Sequence, residues 1–185
     1  MCWTTIWYRI GGITMLNAKK LLTVAFIMIF MFVASTTSFA DIYMNVDGIE
    51  GESLNSNYVD WIEIESYVLS MSLPEVTLSS SSRGTPKKIN SPIEITKVLD
   101  KSTPLLFEKL AKGENISHID IVVTQSSGRD GESTLLMIQL GNAMIVGATT
   151  GGSNDGIPMD QFSIMYETIT MEYPSGNTMF EDSGR

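Results

Sequence analysis

The segment Lys97–Ile116, KVLDKSTPLLFEKLAKGENI, carries the clearest helix signal in the chain after residue 40. Ser102 or Thr103 is expected to cap the helix start through its side-chain oxygen. Pro104 suits the first helical position, because its missing backbone N–H would have no helical partner there in any case. Gly113 readily adopts the left-handed conformation that ends a helix. The sequence therefore predicts one short helix between these two signals.

The predicted helix has one apolar face, which indicates its place in the fold. Leu106 and Leu110 lie one turn apart, and Leu105, Phe107 and Ala111 widen this face. Most of the remaining sequence after residue 40 alternates between apolar and polar residues with the period of a β-strand. The pattern predicts a mainly β domain that one short helix closes or buttresses.

Seven or eight short strands are predicted, a number that fits a barrel or a sandwich. Gly141-Asn142 is a favoured tight-turn pair and is expected to join two of them as a hairpin. The predicted strands are Asp41–Asp47, Tyr58–Met71, Ile89–Val98, His118–Gln125, Ser133–Leu140, Ala143–Thr149 and Gln161–Tyr173. Alternation places these residues on shared faces: Ile93 with Ile95, Ile119 with Ile121 and Val123, and Phe162 with Ile164 and Tyr166.

The first 40 residues are expected to direct export rather than to fold. Two lysines at positions 19 and 20 precede an uncharged run of 14 residues, Leu21–Ala34, and a small-x-small ending follows. This order is typical of a secretory signal peptide, here cleaved between Ala40 and Asp41. The run is short for a membrane span, which needs about 20 residues; a retained membrane anchor is the alternative. Met15 gives a compact start, which assigns residues 15–40 to the signal and residues 1–14 to an upstream extension.

The remaining chain, residues 41–185, has the size of one domain. Residues 41–173 are assigned to the β domain and residues 174–185 to a flexible C-terminal tail. This chain holds nine basic and 21 acidic residues, a net charge of −12, which argues against nucleic-acid binding. The one cysteine, Cys2, precedes the predicted cleavage site, so the exported form has no disulfide. These properties predict a secreted or extracellular protein, or a periplasmic one, that is not bound to a membrane once the signal is removed.

The segment Pro74–Lys88, PEVTLSSSSRGTPKK, is the longest irregular stretch. It has four consecutive serines, two prolines and three basic residues. One interpretation is a flexible surface loop. The other is a protruding arm that docks on a neighbouring copy of the chain.

The residues present do not indicate a catalytic site. His118 is the only histidine and no cysteine follows Cys2, which excludes a Cys–His pair and a His-rich zinc site in the exported chain. His118 is expected to have a surface or structural role. The acidic stretch 45–52 is similar to a calcium loop, but Ile49 occupies a ligand position, so a solvated turn is expected instead. A glycosidase-type carboxylate pair stays open as an alternative. No cofactor is expected, and the chain is predicted to bind or assemble rather than to catalyse.

Five segments together resemble one known family. Asp100–Leu106, DKSTPLL, followed by Gly113 and Ile116, is similar to the haemolysin-coregulated protein (Hcp) family, the tube proteins of bacterial type VI secretion systems. The similarity covers nearly all of residues 41–185. The other matching segments, in order, are Asp41–Met44 with Asp47–Ser53, Asp60–Ile64, Thr150–Ser153, and the final strand with Phe162, Ile169 and Tyr173.

The resemblance implies a small antiparallel β-barrel with one short helix, assembled as a hexameric ring. It also implies stacking of rings into a hollow tube, with a contractile sheath, a VgrG spike and small effectors as partners. Pro74–Lys88 then corresponds to the family's extended loop toward the adjacent subunit or ring. The residues assigned to this contact are Arg83, Gly84, Thr85, Lys87 and Lys88.

The predicted signal peptide supports a second interpretation. A Sec-type signal places the protein in the periplasm, before a tube can form from it in the cytoplasm. The alternative function is therefore a periplasmic or extracellular binding module that keeps the Hcp fold and no longer forms a tube.

Overall fold

The computed structural model describes residues 40–72, 89–127 and 131–183. Along the chain these form β1 (Ala40–Val46), β2 (Ile62–Glu63), β3 (Ser66–Val68), β4 (Met71–Ser72), β5 (Ile89–Asn90), β6 (Ile93–Val98), the helix α1 (Thr103–Lys112), β7 (Ile116–Ser127), β8 (Gly131–Gly151), β9 (Met159–Met165), β10 (Thr168–Tyr173), a 3-10 turn (Pro174–Gly176) and β11 (Thr178–Ser183). The predicted signal residues before Ala40 and the segment Pro74–Lys88 lie outside the described residues.

One antiparallel sheet holds most of these strands, in the order β2-β1-β7-β8-β9-β6-β3. The strands at the two ends of this order, β2 and β3, follow each other closely in the chain and belong to one short segment. The Ile64 backbone N–H donates to the Ile42 carbonyl at 3.0 Å on the β1 side, and the Glu65 N–H donates to the Thr96 carbonyl at 2.8 Å on the β6 side. The predicted architecture, mainly antiparallel β with one short helix, is confirmed.

The predicted hairpin at Gly141-Asn142 is wrong, because both residues lie inside the 21-residue strand β8. Asn142 has a positive φ of 51°, which bends the strand without reversing it. Before this bend β8 pairs with β7 and β10, and after it β8 pairs mainly with β9. A Cβ at Gly141 would overlap the Thr168 hydroxyl, so a larger residue there would require the Thr168 side chain on β10 to move. The two halves therefore pair with different neighbours rather than with each other.

The end of the chain also differs from the prediction. The single strand expected over Gln161–Tyr173 divides into β9 and β10, because β10 returns to pair with the first half of β8. Residues 174–183, expected as a flexible tail, form the 3-10 turn and β11, which pairs with β10 from Tyr173↔Thr178 to Thr168↔Ser183. This strand pairing orders the segment.

The core is formed mainly by inward side chains of the strands, with Leu106 from α1, and it contains the residues that alternation predicts. Ile93, Ile95, Ile119, Ile121, Phe162 and Ile164 are all buried. Leu106 on α1 is 1% exposed, and the ring of the neighbouring Phe107 packs edge-on against Phe162 with 5.6 Å between centroids. The apolar face of the helix is narrower than expected, because Leu105 and Ala111 are exposed.

The helix ends as predicted but does not start as predicted. Gly113 has a φ of 62°, its N–H donates to the Leu110 carbonyl, and the Glu114 N–H donates to the Lys109 carbonyl. At the start, neither Ser102 nor Thr103 caps the helix with its side chain. Their hydroxyls bind a buried ionic network instead.

Candidate functional site

Two opposite charges lie inside the core at the start of α1. Lys97 on β6 and Asp160 on β9 lie directly opposite each other, because they are register partners in the pairing of the two strands. Lys97 is 0% exposed and Asp160 is 1% exposed. Charged side chains are rarely buried this fully unless they are paired, because burial removes their hydration.

Four oxygen atoms surround the Lys97 ammonium. Its Nζ lies 2.7 Å from Asp100 Oδ1, 2.8 Å from the Val98 carbonyl, 2.9 Å from Thr103 Oγ1 and 3.3 Å from Asp160 Oδ2. The Thr103 hydroxyl donates to Asp160 Oδ2. Thr103 therefore links the lysine and the aspartate and is not available to cap the helix.

Asp100 orders the chain just before the helix. Its Oδ1 accepts from the Ser102 N–H at 2.9 Å and from the Ser102 hydroxyl at 2.5 Å, as well as from Lys97. The Asp100 N–H in turn donates to Thr103 Oγ1 at 3.3 Å. This aspartate turn, rather than a serine or threonine cap, sets the direction in which α1 leaves the sheet.

The environment favours the ionised form of Asp160. Burial opposes ionisation, but hydrogen bonds from Thr103, Thr150 and Lys97, together with the positive charge of Lys97, hold the pKa of Asp160 below its usual value. Lys97, Ser102, Thr103 and Asp160 are buried in this network, and Asp100 is partly exposed at its edge. The Lys97–Asp100–Thr103–Asp160 network therefore fixes the start of the helix to the sheet.

A groove of about 570 Å³ lies beside the network, between α1 and the loop that follows β1. Lys101 crosses it, with its Nζ 3.4 Å from Glu50 and 3.6 Å from Asp60. The Lys101 backbone N–H donates to Glu52 at 3.0 Å. Leu105 and Trp61 also line the groove. The acidic loop thus binds the residue just before the helix.

The loop is held tightly by its own backbone. The Gly51 N–H donates to the Asp60 carbonyl at 2.7 Å, and the Ser53 N–H donates to the Trp61 carbonyl at 3.0 Å. A Cβ on Gly51 would overlap the Trp61 carbonyl group, so only glycine fits. Because Gly51 has no side chain, the two strand-like sides of the loop can approach closely enough to form these hydrogen bonds.

The far end of the loop is anchored on the outer face of the sheet. Tyr58 stacks on Tyr43 with 4.5 Å between ring centroids. Asn55 donates to the Tyr43 hydroxyl at 3.0 Å and to Glu132 at 2.9 Å, and Asn57 also donates to Glu132, at 3.1 Å. Burial opposes ionisation of Glu132, but hydrogen bonds from Asn55, Thr124 and Asn57 outweigh it and lower its pKa.

The structure gives the acidic stretch 45–52 contacts within the chain. Asp47 accepts from the Ser117 hydroxyl, Glu50 pairs with Lys101, and Ile49, the residue at the ligand position, is 5% exposed in the core. Within residues 40–72, 89–127 and 131–183, no group of three or more His, Cys, Asp or Glu side chains is arranged to hold a metal ion.

His118 lies on the surface at the start of β7, as expected. Its Nε2 is 2.7 Å from Asp120 Oδ1, and its backbone carbonyl accepts from the Asp47 N–H at 3.1 Å. Asp120 also accepts from Gln139 at 3.0 Å, so the pair is part of a strand surface.

The other predicted site residues are placed as follows. Ala40 and Asp41, the predicted cleavage residues, lie in β1 and pair with Gln125 and Thr124 of β7. The residues assigned to contact between rings, Arg83, Gly84, Thr85, Lys87 and Lys88, lie outside the described part of the chain. In the part that is described, no helix combines the length and apolar character needed to cross a membrane.

Sequence reasoning did not find the buried network, although its signal is present. Lys97 has the same strand parity as Ile93 and Ile95, and Asp160 has the same parity as Phe162 and Ile164. Opposite charges on the inward faces of two strands indicate a buried ion pair when the strands are neighbours. Fold and site together define a structural β domain, in which the polar network described above stabilises the shape.

Comparison with known proteins identifies the family. The family model described as "Type VI secretion system effector, Hcp" matches residues 43–173. Because the match covers well over half of the chain, the protein belongs to the Hcp family of type VI secretion systems. This confirms the predicted resemblance and the assignment to a non-enzymatic structural component of these systems. Comparison with curated proteins found no match.

Solved structures agree on the fold. Hcp1 from Salmonella typhimurium is 20% identical, with a TM-score of 0.65 over 77% of this chain and 91% of that one. A mutant of Hcp1 from E. coli EAEC 042 is 21% identical, with a TM-score of 0.67 over 79% and 98%. Hcp3 from Pseudomonas aeruginosa, described as a secreted protein, is 17% identical, with a TM-score of 0.62 over 80% and 99%.

Proposed function

We propose that this protein forms hexameric rings that stack into the inner tube of a type VI secretion system and carry small effectors. Membership of the Hcp family over residues 43–173 is the observation that carries the proposal. A contractile sheath and a VgrG-type spike are its expected partners. In this role each subunit is a rigid wall element, and the buried network beside α1 provides rigidity where the helix joins the sheet.

The charge distribution limits how copies of the chain can meet. The described residues hold 19 acidic side chains and four lysines, a net charge of −15. All four lysines are within 4.0 Å of a carboxylate of the same chain: Lys97, Lys101, Lys109 and Lys112. Two such bodies repel each other, because like charges brought together in an interface are costly.

The segment Pro74–Lys88 carries cations that would offset this repulsion. Arg83, Lys87 and Lys88 stand against one acidic residue in that segment, Glu75. We assign to Arg83, Gly84, Thr85, Lys87 and Lys88 the role of an arm that contacts the acidic body of a neighbouring copy. Charge complementarity supports this assignment over that of a surface loop without a partner.

A charge-neutralising variant tests the arm. Replacing Arg83, Lys87 and Lys88 with Gln is expected to weaken assembly by at least about tenfold in the concentration required, because the arm loses its attraction to acidic side chains. The matched control replaces Lys109 and Lys112 with Gln, since these lysines already pair within α1 and with Glu114. Equal assembly of the two variants in sedimentation experiments would exclude the arm.

Exposed apolar residues offer a second contact surface. Met179 and Phe180 on β11 are 66% and 44% exposed, and among the described strands β11 pairs only with β10. Exposed apolar side chains on an outer strand of the described sheet form a surface that a neighbouring subunit can cover. This edge supports assembly in addition to the arm.

Secretion in the producing bacterium tests the function itself. The protein is expected in the medium of cells with an intact sheath and absent from the medium of cells that lack the sheath protein. A cytoplasmic protein of similar size controls for lysis. Equal release from both strains would exclude the secretion-tube role.

The alternative function, a periplasmic or extracellular binding module with the Hcp fold, is favoured by one observation, the predicted signal peptide at residues 15–40. Fractionation distinguishes the two functions. Processed protein retained in the periplasm, without dependence on the sheath, would support the binding module.

A further inference from the structure

The predicted cleavage point between Ala40 and Asp41 lies inside the fold. Ala40 is the first residue of β1, and the register Ala40↔Gln125, Asp41↔Thr124 and Ile42↔Val123 pairs it and the next residues with β7. The side chains of Ala40 and Asp41 are exposed, but their backbone is part of a strand pair. The residues that follow the scissile bond therefore belong to the sheet.

Contacts on both edges of β1 hold this end of the strand. On the β7 side, the hydroxyl of the fully buried Thr124 donates to the Asp41 carbonyl at 3.3 Å, in addition to the strand pairing. On the other side, the Ile64 N–H donates to the Ile42 carbonyl at 3.0 Å. Within three residues of the cleavage point, β1 thus has hydrogen-bonded neighbours on both sides.

A peptidase needs the same backbone groups. Proteases cut segments that are exposed and free to enter their active site. An extended peptide bound there forms hydrogen bonds to the enzyme through its backbone N–H and C=O groups. Residues 41 and 42 can do this only if β1 first leaves its place between β7 and Ile64. Cleavage of the folded chain then requires an opening step, whose free energy reduces the rate of cleavage.

We propose that the first strand is a processing switch, in which the Ala40–Asp41 bond is cleaved only before β1 pairs with β7. In the cleavage step, water provides the hydroxyl that becomes part of the Ala40 carboxylate, and the broken amide leaves as the α-amino group of Asp41. A chain that folds before it meets the peptidase keeps its N-terminal segment. The order of folding and export therefore decides between a processed, exported form and an unprocessed form inside the cell.

The full-length chain, purified in mild detergent, tests this order directly. A bacterial signal peptidase is added to the native chain and to the chain unfolded in a urea concentration that the enzyme tolerates. Mass spectrometry then follows the product that begins at Asp41. We expect cleavage of the native chain to be slower by about 100-fold or more, because the opening of a paired strand is rare.

Two variants separate local opening from other effects. Met44→Ala removes a fully buried side chain of β1 and is expected to speed cleavage of the native chain by about tenfold or more. Met179→Ala, at a position 66% exposed on β11, makes the same change away from β1 and is expected to leave the rate unchanged.

Two results would overturn the proposal. Cleavage of native and unfolded chains at rates within about threefold would show that β1 does not protect the bond. No cleavage of the unfolded chain at Ala40 would show that this is not a processing site. Neither result bears on ring formation, which is measured on residues 41–185.

Discussion

Replacing Lys97 with Met is the sharpest test of the buried network. Methionine has a similar length and no charge, so the change removes the ammonium and leaves the cavity filled. The Lys97 side chain is 0% exposed, and the side chains of its partners Asp160 and Asp100 are 0% and 12% exposed. The variant therefore leaves Asp160 ionised in the core without its cation, or forces it to take up a proton.

The expected loss of stability follows from this burial. Breaking a buried ion pair by removing one partner costs about 3–5 kcal/mol, because the remaining charge is uncompensated. Urea lowers the free energy of unfolding by about 1–3 kcal/mol per molar for a domain of this class, so the midpoint of unfolding should fall by about 1–5 M. The double variant Lys97→Met/Asp160→Asn should recover part of this loss, because it also removes the uncompensated charge.

Urea unfolding of residues 41–185 provides the measurement, since Trp61 is the only tryptophan after residue 40 and reports on the loop beside α1. Lys109→Met is the matched control: Lys109 lies 2.7 Å from Glu114, the same distance as Lys97 from Asp100, but its side chain is 31% exposed. It should leave the midpoint unchanged within error. A midpoint for Lys97→Met equal to that of Lys109→Met would refute the role of the buried charge.

The remaining predictions use the same stability assay unless another is named. The pKa of Asp160 is lowered on folding, so its contribution to the free energy of unfolding is present above the usual aspartate pKa near 3.8 and is lost as the pH falls below it. Stability should therefore drop in that range of pH, and Asp160→Asn should make the drop smaller. Leu106→Ala should cost about 2–5 kcal/mol and the exposed Leu105→Ala much less; equal losses would contradict the assigned helix face. Gly51→Ala should destabilise strongly through overlap with the Trp61 carbonyl, whereas Gly151→Ala, with open space around it, should be tolerated; a neutral Gly51→Ala would contradict the loop packing. Deleting Ser79–Thr85 should leave a folded chain by circular dichroism and weaken its assembly; loss of folding would count against the arm.

The sequence predicted the helix and the buried faces of the strands, because these depend on residues that are close together in the chain. Leu106 and Gly113 follow from helix periodicity and from the left-handed preference of glycine, and the faces of β6 and β9 follow from strand alternation. Gly141-Asn142 failed as a hairpin because the same backbone preference serves a turn or a bend. Whether a turn or a bend forms depends on the strands that pair with β8. These strands are distant in the chain, so the local sequence pattern does not specify them.

The site was less predictable, because its parts are far apart in the sequence. Lys97 and Asp160 are separated by 63 positions, and only the β6–β9 pairing brings them together. The hydroxyl of Thr103 then binds Asp160 in preference to the helix N-terminus, which overrides the usual role of threonine at that position. A rule that flags inward-facing charges on predicted strands would have found both ends of the pair but not their contact.

The mass of residues 41–185 in solution tests the central claim most directly. Light scattering behind a sizing column, over a range of protein concentrations, should give a species of six chains, and electron microscopy of that peak should show rings. A strict monomer at the highest concentration, with the circular dichroism spectrum of a folded β protein, would contradict the claim that this chain builds a secretion tube.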